Sequence, residues 1–193
     1  MKINEIFYSA QGEGARAGSA NVFIRFAGCD LACTFCDTEF ESGSEMSEKE
    51  IAATVARLMP TPRAVILTGG EPALQYNQAL HDELRGVGVT LIAMETNGGT
   101  APAAPVDWVS CSPKVAEHVV AAKFPDGVQE LRYVRHPGQA IPQPKVKAGY
   151  LYLSPEFKGN VLQRDSLRHC LELVKANPAW RLSIQQHKSW SVR

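Results

Sequence analysis

Residues 22–36 have the sequence VFIRFAGCDLACTFC, an apolar run followed by three closely spaced cysteines. The run 20–27 predicts a strand that leads into a loop carrying Cys29, Cys33 and Cys36. A structural zinc ion or an electron-transfer [4Fe–4S] cluster takes four protein ligands, whereas this loop supplies three thiolates. One iron of a cubane cluster would therefore lack a protein ligand, and an open metal position is where a small molecule binds and reacts.

Other interpretations of the cysteines remain. A zinc site is the main alternative to an iron–sulfur cluster, and a disulfide pair with a spare thiol is another. Gly28 before the loop and the Asp-Thr pair at 37–38 after it favour a ligand loop. Cys111 lies in an apolar run and Cys170 in a helical pattern, so both are predicted to be buried small side chains.

Composition limits the class of protein. A chain of 193 residues that is 45% hydrophobic predicts one domain, residues 1–193, with the cysteine loop at 28–38. The formal net charge is zero, which argues against a nucleic-acid or membrane-surface partner. No apolar run approaches the roughly 20 residues that span a bilayer, and residues 1–5 do not resemble a signal peptide. With an odd number of cysteines, the chain is expected in the reducing cytoplasm.

Strand and helix patterns alternate along the chain. Helices are predicted at 47–59, opened by a Ser-x-x-Glu capping box, at 75–86 and at 163–176. Segments 99–128 and 136–148 have weak periodicity and are expected to be loops or short elements. Further strands are predicted at 64–68, 89–95, 107–111, 130–134, 150–154 and 181–185. The alternation predicts an α/β fold, a partial, open parallel β/α barrel of about six strands, since a closed barrel needs eight.

Polar motifs follow most of these strands. Because the carboxyl ends of parallel strands share one rim, the motifs are expected to meet at a ligand site. After the cysteine loop they are TGGEP at 68–72, ETNG at 95–98, SPK at 112–114, SPEF at 154–157 and QHK at 186–188.

Each motif also has a plainer interpretation. GGE and ETNG are compatible with simple turns, Asp37 and Thr38 with a cap on the cysteine loop, and His187 with a surface histidine. Arg25 interrupts an apolar strand, where an unpaired guanidinium is costly. It pairs either with an acidic residue such as Glu13 or Glu95, or with a carboxylate substrate that it holds through two hydrogen bonds.

Taken together, the motifs resemble one family. The cysteine spacing, with an aromatic residue before the third cysteine, resembles the radical S-adenosylmethionine (SAM) enzymes. EIFY at 5–8, QGEG at 11–14, FAGC at 26–29 and CDT at 36–38, followed by the strand-end motifs TGGEP, ETNG, SPK and QHK, resemble the 7-carboxy-7-deazaguanine synthases. The resemblance runs in order from residue 5 to the C-terminus, and the QGEG motif joined to the cysteine loop and ETNG is its most specific part.

The resemblance implies a radical SAM lyase. Its substrate would be 6-carboxy-5,6,7,8-tetrahydropterin and its product 7-carboxy-7-deazaguanine, formed with loss of ammonia on the route to queuosine and other 7-deazapurines. The family uses a [4Fe–4S] cluster, SAM and Mg²⁺, and the substrate hydrogen taken by a 5′-deoxyadenosyl radical is later returned. The expected partners are the small pterin substrate, an external electron donor of the flavodoxin or ferredoxin type, and a second copy in a homodimer.

The resemblance also assigns residues by position, without a certain catalytic acid or base. The cluster ligands would be Cys29, Cys33 and Cys36, and the Mg²⁺ ligand Thr38. The pterin contacts would be Ala10, Gln11, Gly12, Arg25, Thr68 and Arg193, the last through its terminal carboxylate. The SAM contacts would be Gly70, Ser112, Pro113, Lys114, Ser154, Pro155, Glu156 and Phe157.

Two segments depart from the family pattern. Residues 154–157 stand where the family often has a Gln-Pro segment, and serine is shorter than glutamine. The last five residues, SWSVR, also differ from the usual ending, which bears on the role of Arg193.

Two rival functions share part of the pattern. An activase that makes a glycyl radical on a partner protein would share the cysteine loop, but it needs neither Arg25 nor the QGEG turn. A non-enzymatic iron–sulfur or zinc-binding module would lack GGE and the other strand-end motifs. Iron and sulfide analysis separates the module, and incubation with the pterin separates the activase.

Replacing Cys29, Cys33 or Cys36 with alanine is expected to remove the cluster and the activity together, because each thiolate is needed to hold it. Iron and sulfide analysis of anaerobically prepared protein measures this loss. Cys111→Ala and Cys170→Ala are the controls, and each should keep the cluster. A folded Cys111→Ala protein without a cluster would contradict the ligand assignment.

Overall fold

The computed structural model describes residues 1–33, 39–58 and 63–192. Within them, one large mixed sheet and a small hairpin carry the strands. The strands are β1 (Lys2–Ala10), β2 (Ala20–Phe26), β3 (Ser44–Glu45), β4 (Arg63–Gly69), β5 (Val89–Thr96), β6 (Trp108–Cys111), β7 (Val128–Arg135), β8 (Ala148–Pro155), β9 (Phe157–Lys158), β10 (Val161–Leu162) and β11 (Trp180–Leu182). The helices are α1 (Glu48–Leu58), α2 (Gln78–Gly86), α3 (Glu117–Lys123), α4 (Arg164–Ala176) and α5 (Gln186–Trp190).

The large sheet has the strand order β11-β8-β7-β6-β5-β4-β2-β1-β3. From β2 to β11 the neighbouring strands are parallel, whereas β1 runs antiparallel to β2 and β3 runs antiparallel to β1. The expected α/β fold with a mainly parallel sheet is confirmed. The small hairpin of β9 and β10 follows β8 directly.

Helices α1 to α4 pack against one face of the sheet. Ile51 of α1 and Leu80 of α2 pack in one core with Val22 and Leu67 of the neighbouring strands. A second core joins α3 and α4 to β6, β7, β8 and β11 and contains both Cys111 and Cys170. Since side chains alternate along a strand, the opposite face of the sheet is left for polar residues.

Local signals set the helix starts. The Ser47 hydroxyl accepts from the Glu50 amide at 3.4 Å, and the Glu50 carboxylate accepts from the Ser47 amide at 2.8 Å, which is the predicted capping box. The Asn77 side chain caps α2 by accepting from the Leu80 amide at 2.9 Å. None of the helices in the described ranges has the length and apolar character needed to cross a membrane.

The prediction from sequence did not include strand β1, the two-residue strands β3, β9 and β10, or helix α5. The seven-residue α3 lies in the segment 99–128, which was expected to hold loops or short elements. Strand β1 pairs with β2 from Ile3 to Ala10 and is polar at several positions, so it lacks the continuous apolar run of the buried parallel strands.

Two glycines at the end of β4 bring neighbouring backbones into contact. The Gly70 amide donates to the Phe26 carbonyl at 3.0 Å, and the Glu71 amide donates to the Gly28 carbonyl at 3.0 Å. Gly69 has φ +118°, and a Cβ there would collide with the Phe26 backbone, while a Cβ on Gly70 would collide with the Gly28 carbonyl. Only glycine lets the end of β4 approach the start of the cysteine loop this closely.

Gly69→Ala is expected to lower the free energy of unfolding by about 1–3 kcal/mol from backbone strain alone. The collision of the new Cβ with the Phe26 backbone should add to this loss. Chemical denaturation measures the change. Gly86→Ala at the end of α2 is the matched control, because a Cβ there meets nothing within 4 Å. The control should be neutral or stabilising by up to about 1 kcal/mol. Equal stability of the Gly69→Ala and Gly86→Ala proteins would contradict the proposed need for glycine.

Candidate functional site

Two adjoining cavities open at the carboxyl ends of the parallel strands. The first has a volume of about 390 Å³ and extends between β1, β2 and α5, and the second has a volume of about 280 Å³ and lies beside the cysteine loop. They share a wall formed by Glu13, Thr68, Glu95, Arg132 and Gln185. A molecule in one cavity would therefore lie directly next to a molecule in the other.

The first cavity gathers the residues predicted to contact the pterin. They are Ala10, Gln11, Gly12, Arg25 and Thr68. Gly12 and His187 lie close together, because the Gln186 amide donates to the Gly12 carbonyl at 3.0 Å and a Cβ on Gly12 would collide with His187. Arg193 lies outside the described residues, and its contact with the substrate stays a prediction.

The second cavity gathers most residues predicted to hold the cluster and SAM. Cys36 and Thr38 lie outside the described residues, and Pro113 is not part of the lining. The predicted residues that line the cavity are Cys29, Cys33, Gly70, Ser112, Lys114, Ser154, Pro155, Glu156 and Phe157.

Arg25 pairs with Glu5, an acidic residue other than the two named as examples from the sequence. Its Nε donates to Glu5 Oε1 at 2.9 Å across the β1–β2 pair, where Glu5 and Arg25 are register partners. Glu5 is thus the acidic partner that the first of the two sequence-based options calls for, whereas its named examples, Glu13 and Glu95, both contact Arg132. The Arg25 guanidinium also lies 5.7 Å from the centre of the Phe7 ring and lines the first cavity.

The Glu71 carboxylate is bound by groups of the protein itself and does not line either cavity. Its side chain is fully buried and accepts from the Ala73 amide at 3.1 Å, the Thr96 hydroxyl at 2.9 Å and the Asn97 amide at 2.7 Å. Burial raises the pKa of the Glu71 carboxyl, and the hydrogen bonds oppose that rise. Both of its carboxylate oxygens are thus engaged by donors inside the protein.

Arg132 is the centre of the shared wall. Its side chain is 6% exposed, and its guanidinium contacts Glu13 at 3.1 Å, Glu130 at 3.5 Å and Glu95. Burial raises the pKa of the Glu130 carboxyl, which also accepts from the Ala15 amide at 2.8 Å. One guanidinium thus holds three acidic side chains from the turn after β1, the end of β5 and β7.

The sequence contained a signal for Arg132 that the prediction did not use. Glu130 and Arg132 occupy alternate positions of the predicted strand 130–134, so both side chains point to the same face of the sheet. Two charged residues on one face of a buried strand indicate a polar wall, since such residues are rarely buried unless they are paired.

Ser154 carries a polar atom suited to a ligand. The residue is 5% exposed, lines the second cavity and has a buried hydroxyl oxygen without a hydrogen-bond partner among the described residues. A buried polar atom without a partner costs free energy, which a ligand group would recover. Beside it, Glu156 lies 3.2 Å from His136 at the cavity rim.

Glu39 fastens the chain just after the cysteine loop. One carboxylate oxygen accepts from the Glu41 and Ser42 amides at 2.7 and 2.8 Å, and the other accepts from the Asn4 amide group and the Ser42 hydroxyl at 2.6 Å each. Hydrogen bonds from the Ser42 side chain and backbone are the main cause that lowers the pKa of Glu39 to about 2. Glu39 also lines the first cavity, so these bonds hold residues 39–42 beside the predicted substrate position.

Helix α5 joins the two cavities from the C-terminal side. Lys188 donates from Nζ to the Gly159 carbonyl at 3.0 Å and lies 4.9 Å from the centre of the Phe157 ring. His187 and Lys188 line the first cavity, whereas Phe157 lines the second. The β9–β10 hairpin is therefore held to the wall of the first cavity.

Cys111 and Cys170 are fully buried in the second core, as predicted. Burial raises the pKa of the Cys111 thiol to about 12 and that of Cys170 to about 11. Because the thiolate is the metal ligand and nucleophile, neither thiol is suited to binding a cluster.

Comparisons with known proteins agree with this geometry. The Radical SAM superfamily model matches residues 23–123. The chain is 40% identical to a 7-carboxy-7-deazaguanine synthase of Bacteroides thetaiotaomicron, over 100% of this chain and 98% of the relative. It is 37% identical to the enzyme of that name from Burkholderia multivorans, over 98% of each chain. The crystal structure of QueE from Escherichia coli superposes with a TM-score of 0.74 at 26% identity, covering 95% of this chain and 92% of the other.

Arg132→Met is expected to lower the free energy of unfolding by about 3–5 kcal/mol, because it leaves buried carboxylates without their cation. Urea denaturation near neutral pH measures the loss. Arg85→Met is the matched control, since Arg85 pairs with Asp107 at 2.7 Å with side chains that are 30% and 40% exposed. That change should cost about 1 kcal/mol or less. Similar losses for Arg132→Met and Arg85→Met would show that the wall is not held by a buried cation.

Proposed function

The chain belongs to the 7-carboxy-7-deazaguanine synthase family of the radical SAM superfamily, and from this premise we propose that it converts 6-carboxy-5,6,7,8-tetrahydropterin to 7-carboxy-7-deazaguanine with release of ammonia. The observation that carries the proposal is the pair of cavities with a shared wall. One cavity adjoins the cysteine loop, and the other contains an arginine that fits a carboxylate. This arrangement supports transfer of hydrogen between a cofactor and a substrate held side by side.

The second cavity fits the cluster and SAM. Cys29 and Cys33 line it, and we propose that they hold a [4Fe–4S] cluster together with Cys36. The buried Ser154 hydroxyl without a partner suits a polar group of SAM, and Gly70, Ser112 and Lys114 lie on the same lining. When bound, the cluster and SAM supply the one-electron chemistry, and the protein orients the cofactor and limits side reactions.

We propose that the first cavity holds the substrate. The bond from Arg25 to Glu5 uses Nε, so the two Nη groups are the donors that we propose for the substrate carboxylate. Ala10, Gln11, Gly12 and Thr68 would contact the pterin ring. Gln11 is 7% exposed and donates to Glu95 at 2.9 Å, so its position is already fixed before a ligand binds.

The shared wall would lie between the reacting groups. The Arg132 guanidinium and the carboxylates that it contacts hold one another in place there. Because the Arg132 side chain is almost fully buried, water contributes little to this arrangement. Preorganised polar groups of this kind stabilise developing charge more effectively than water does. We propose that the wall orients the substrate towards the cofactor.

The remaining roles follow from family membership. We propose that Thr38 binds Mg²⁺, a hard ion that takes few protein ligands, and that the carboxylate of Arg193 contacts the substrate if the chain ends there. Pro113 would contact SAM with its neighbours 112 and 114. We also propose a single radical SAM domain over residues 1–193, a cytoplasmic location, an external flavodoxin- or ferredoxin-type reductant, and a homodimer.

Anaerobic turnover tests the proposed function. The reconstituted protein is incubated with SAM, Mg²⁺, a reductant and 6-carboxytetrahydropterin, and the products are identified by mass spectrometry. We expect 7-carboxy-7-deazaguanine and ammonia. A protein that carries the cluster and cleaves SAM but leaves the pterin unchanged would favour an activase of a partner protein. A protein without iron and sulfide would favour a zinc-binding module.

Arg25→Lys is expected to reduce pterin turnover far more than uncoupled SAM cleavage, because lysine keeps the charge but loses the two-pronged geometry. The loss in kcat/KM for the pterin should correspond to about 1.5–3 kcal/mol, the range for hydrogen bonds to charged groups. Arg85→Lys, on a helix remote from both cavity linings, is the control. Equal losses of turnover and SAM cleavage in Arg25→Lys would assign Arg25 to the fold or the cluster instead.

A further inference from the structure

Hydrogen bonds join three sequence motifs that lie on different loops. The Glu71 carboxylate after β4 accepts from the Thr96 hydroxyl at 2.9 Å and from the Asn97 amide at 2.7 Å. The Asn97 side-chain Nδ2 in turn donates to Asp30 Oδ1 at 2.9 Å. Asp30 lies between Cys29 and Cys33, so GGE, ETNG and the cysteine loop form one connected chain of contacts.

We propose that Asn97 is a positioning residue for the cluster: its side-chain amide holds Asp30, and thereby the cysteine loop, against the end of β5. This role rests on the cluster of the proposed function, and it concerns how the loop is held rather than what binds to the cluster. The relation is indirect, since Asn97 acts through Asp30 and contributes no ligand.

The bonds made by Asn97 leave its side chain little freedom. The residue is 9% exposed. Its Oδ1 accepts from the Gly99 amide at 2.7 Å, and its carbonyl accepts from the Lys114 amide at 3.0 Å. The backbone amide of Asn97 donates to the buried Glu71 carboxylate. Both polar atoms of the Asn97 side chain and both of its backbone polar groups are therefore hydrogen-bonded. The amide group is therefore a rigid support for the loop.

The chemistry of the pair suits a loop that carries thiolates. The Cys29 sulfur lies 3.8 Å from Asp30 Oδ1, and a cluster held by three thiolates adds negative charge beside this carboxylate. A neutral amide donor binds the carboxylate without adding further charge. Hydrogen bonds around a metal site orient its ligands, and their loss typically weakens metal binding about 10–100-fold.

A reversal of donor and acceptor tests the proposal. Asn97→Asp keeps the shape of the side chain but places a second carboxylate against Asp30. We expect the variant to lose its cluster to an iron chelator about 10-fold faster than the wild type, and the electron paramagnetic resonance signal of the reduced cluster to shift. The double variant Asp30→Asn/Asn97→Asp restores one donor and one acceptor, and it should recover most of the stability and the signal.

A matched control separates the hydrogen bond from the net charge. Asn97→Asp/Glu41→Gln has the same net charge as the wild type, but the exposed Glu41 has no bond to residue 97 that could be restored. This control should remain as labile as Asn97→Asp. Asp30→Ala removes the acceptor on the loop without altering β5, and it should also lose the cluster faster. It therefore tests the proposal even if Asn97→Asp does not fold.

The outcomes are distinct. Rescue by Asp30→Asn but not by Glu41→Gln would support the proposal. Rescue by both, or wild-type chelation rates in Asn97→Asp and Asp30→Ala, would overturn it. An Asn97→Asp protein with a stable cluster but weakened SAM binding would make Asn97 a cofactor ligand and also overturn it. A wild-type protein that assembles no cluster would overturn the proposed function itself, whereas a stable wild-type cluster and an equally stable variant cluster would overturn only the role of Asn97.

Discussion

The backbone contact between the ends of β2 and β4 is the constraint on which the site depends. Two amide-to-carbonyl bonds of 3.0 Å, from Gly70 to Phe26 and from Glu71 to Gly28, set the point where the cysteine loop leaves the sheet. The contact is possible because residues 69 and 70 have no Cβ. It also turns the Glu71 side chain into the interior, where it binds the end of β5. One close approach thus fixes three strand ends relative to each other.

The wall around Arg132 extends the same rim across the sheet. A buried cation with several carboxylates is costly to desolvate. Replacing a whole buried set of this kind with apolar residues is often neutral or stabilising, whereas removing one partner alone is destabilising. The presence of a buried charged cluster around Arg132 therefore has a better explanation in function than in stability. The wall separates the two cavities by only a few side chains, so a substrate and a cofactor on either side would be oriented by the same buried charges.

The sequence predicted the parts of the site that depend on residue type and order. The alternation of apolar runs predicted most of the parallel strands. The cysteines, the glycines and Arg25 were recognised as candidate site residues because they lie at or near predicted strand ends. It did not predict β1, whose polar residues conceal its pairing, or the Glu5 partner of Arg25, which depends on the antiparallel register. Nor did it distinguish a carboxylate that faces a ligand from one that is buried, as Glu71 is. Those features depend on long-range contacts rather than on local patterns.

The central claim is that hydrogen passes between a substrate in the first cavity and SAM in the second. Isotope tracing tests it most directly: the protein is turned over anaerobically with 6-carboxytetrahydropterin that is deuterated on its ring carbons, and SAM is recovered and analysed by mass spectrometry. The account predicts deuterium at the 5′ carbon of the recovered SAM, since hydrogen taken from the pterin would be exchanged with the 5′ position before SAM is regenerated. Formation of 7-carboxy-7-deazaguanine with no deuterium in SAM or in 5′-deoxyadenosine would contradict it.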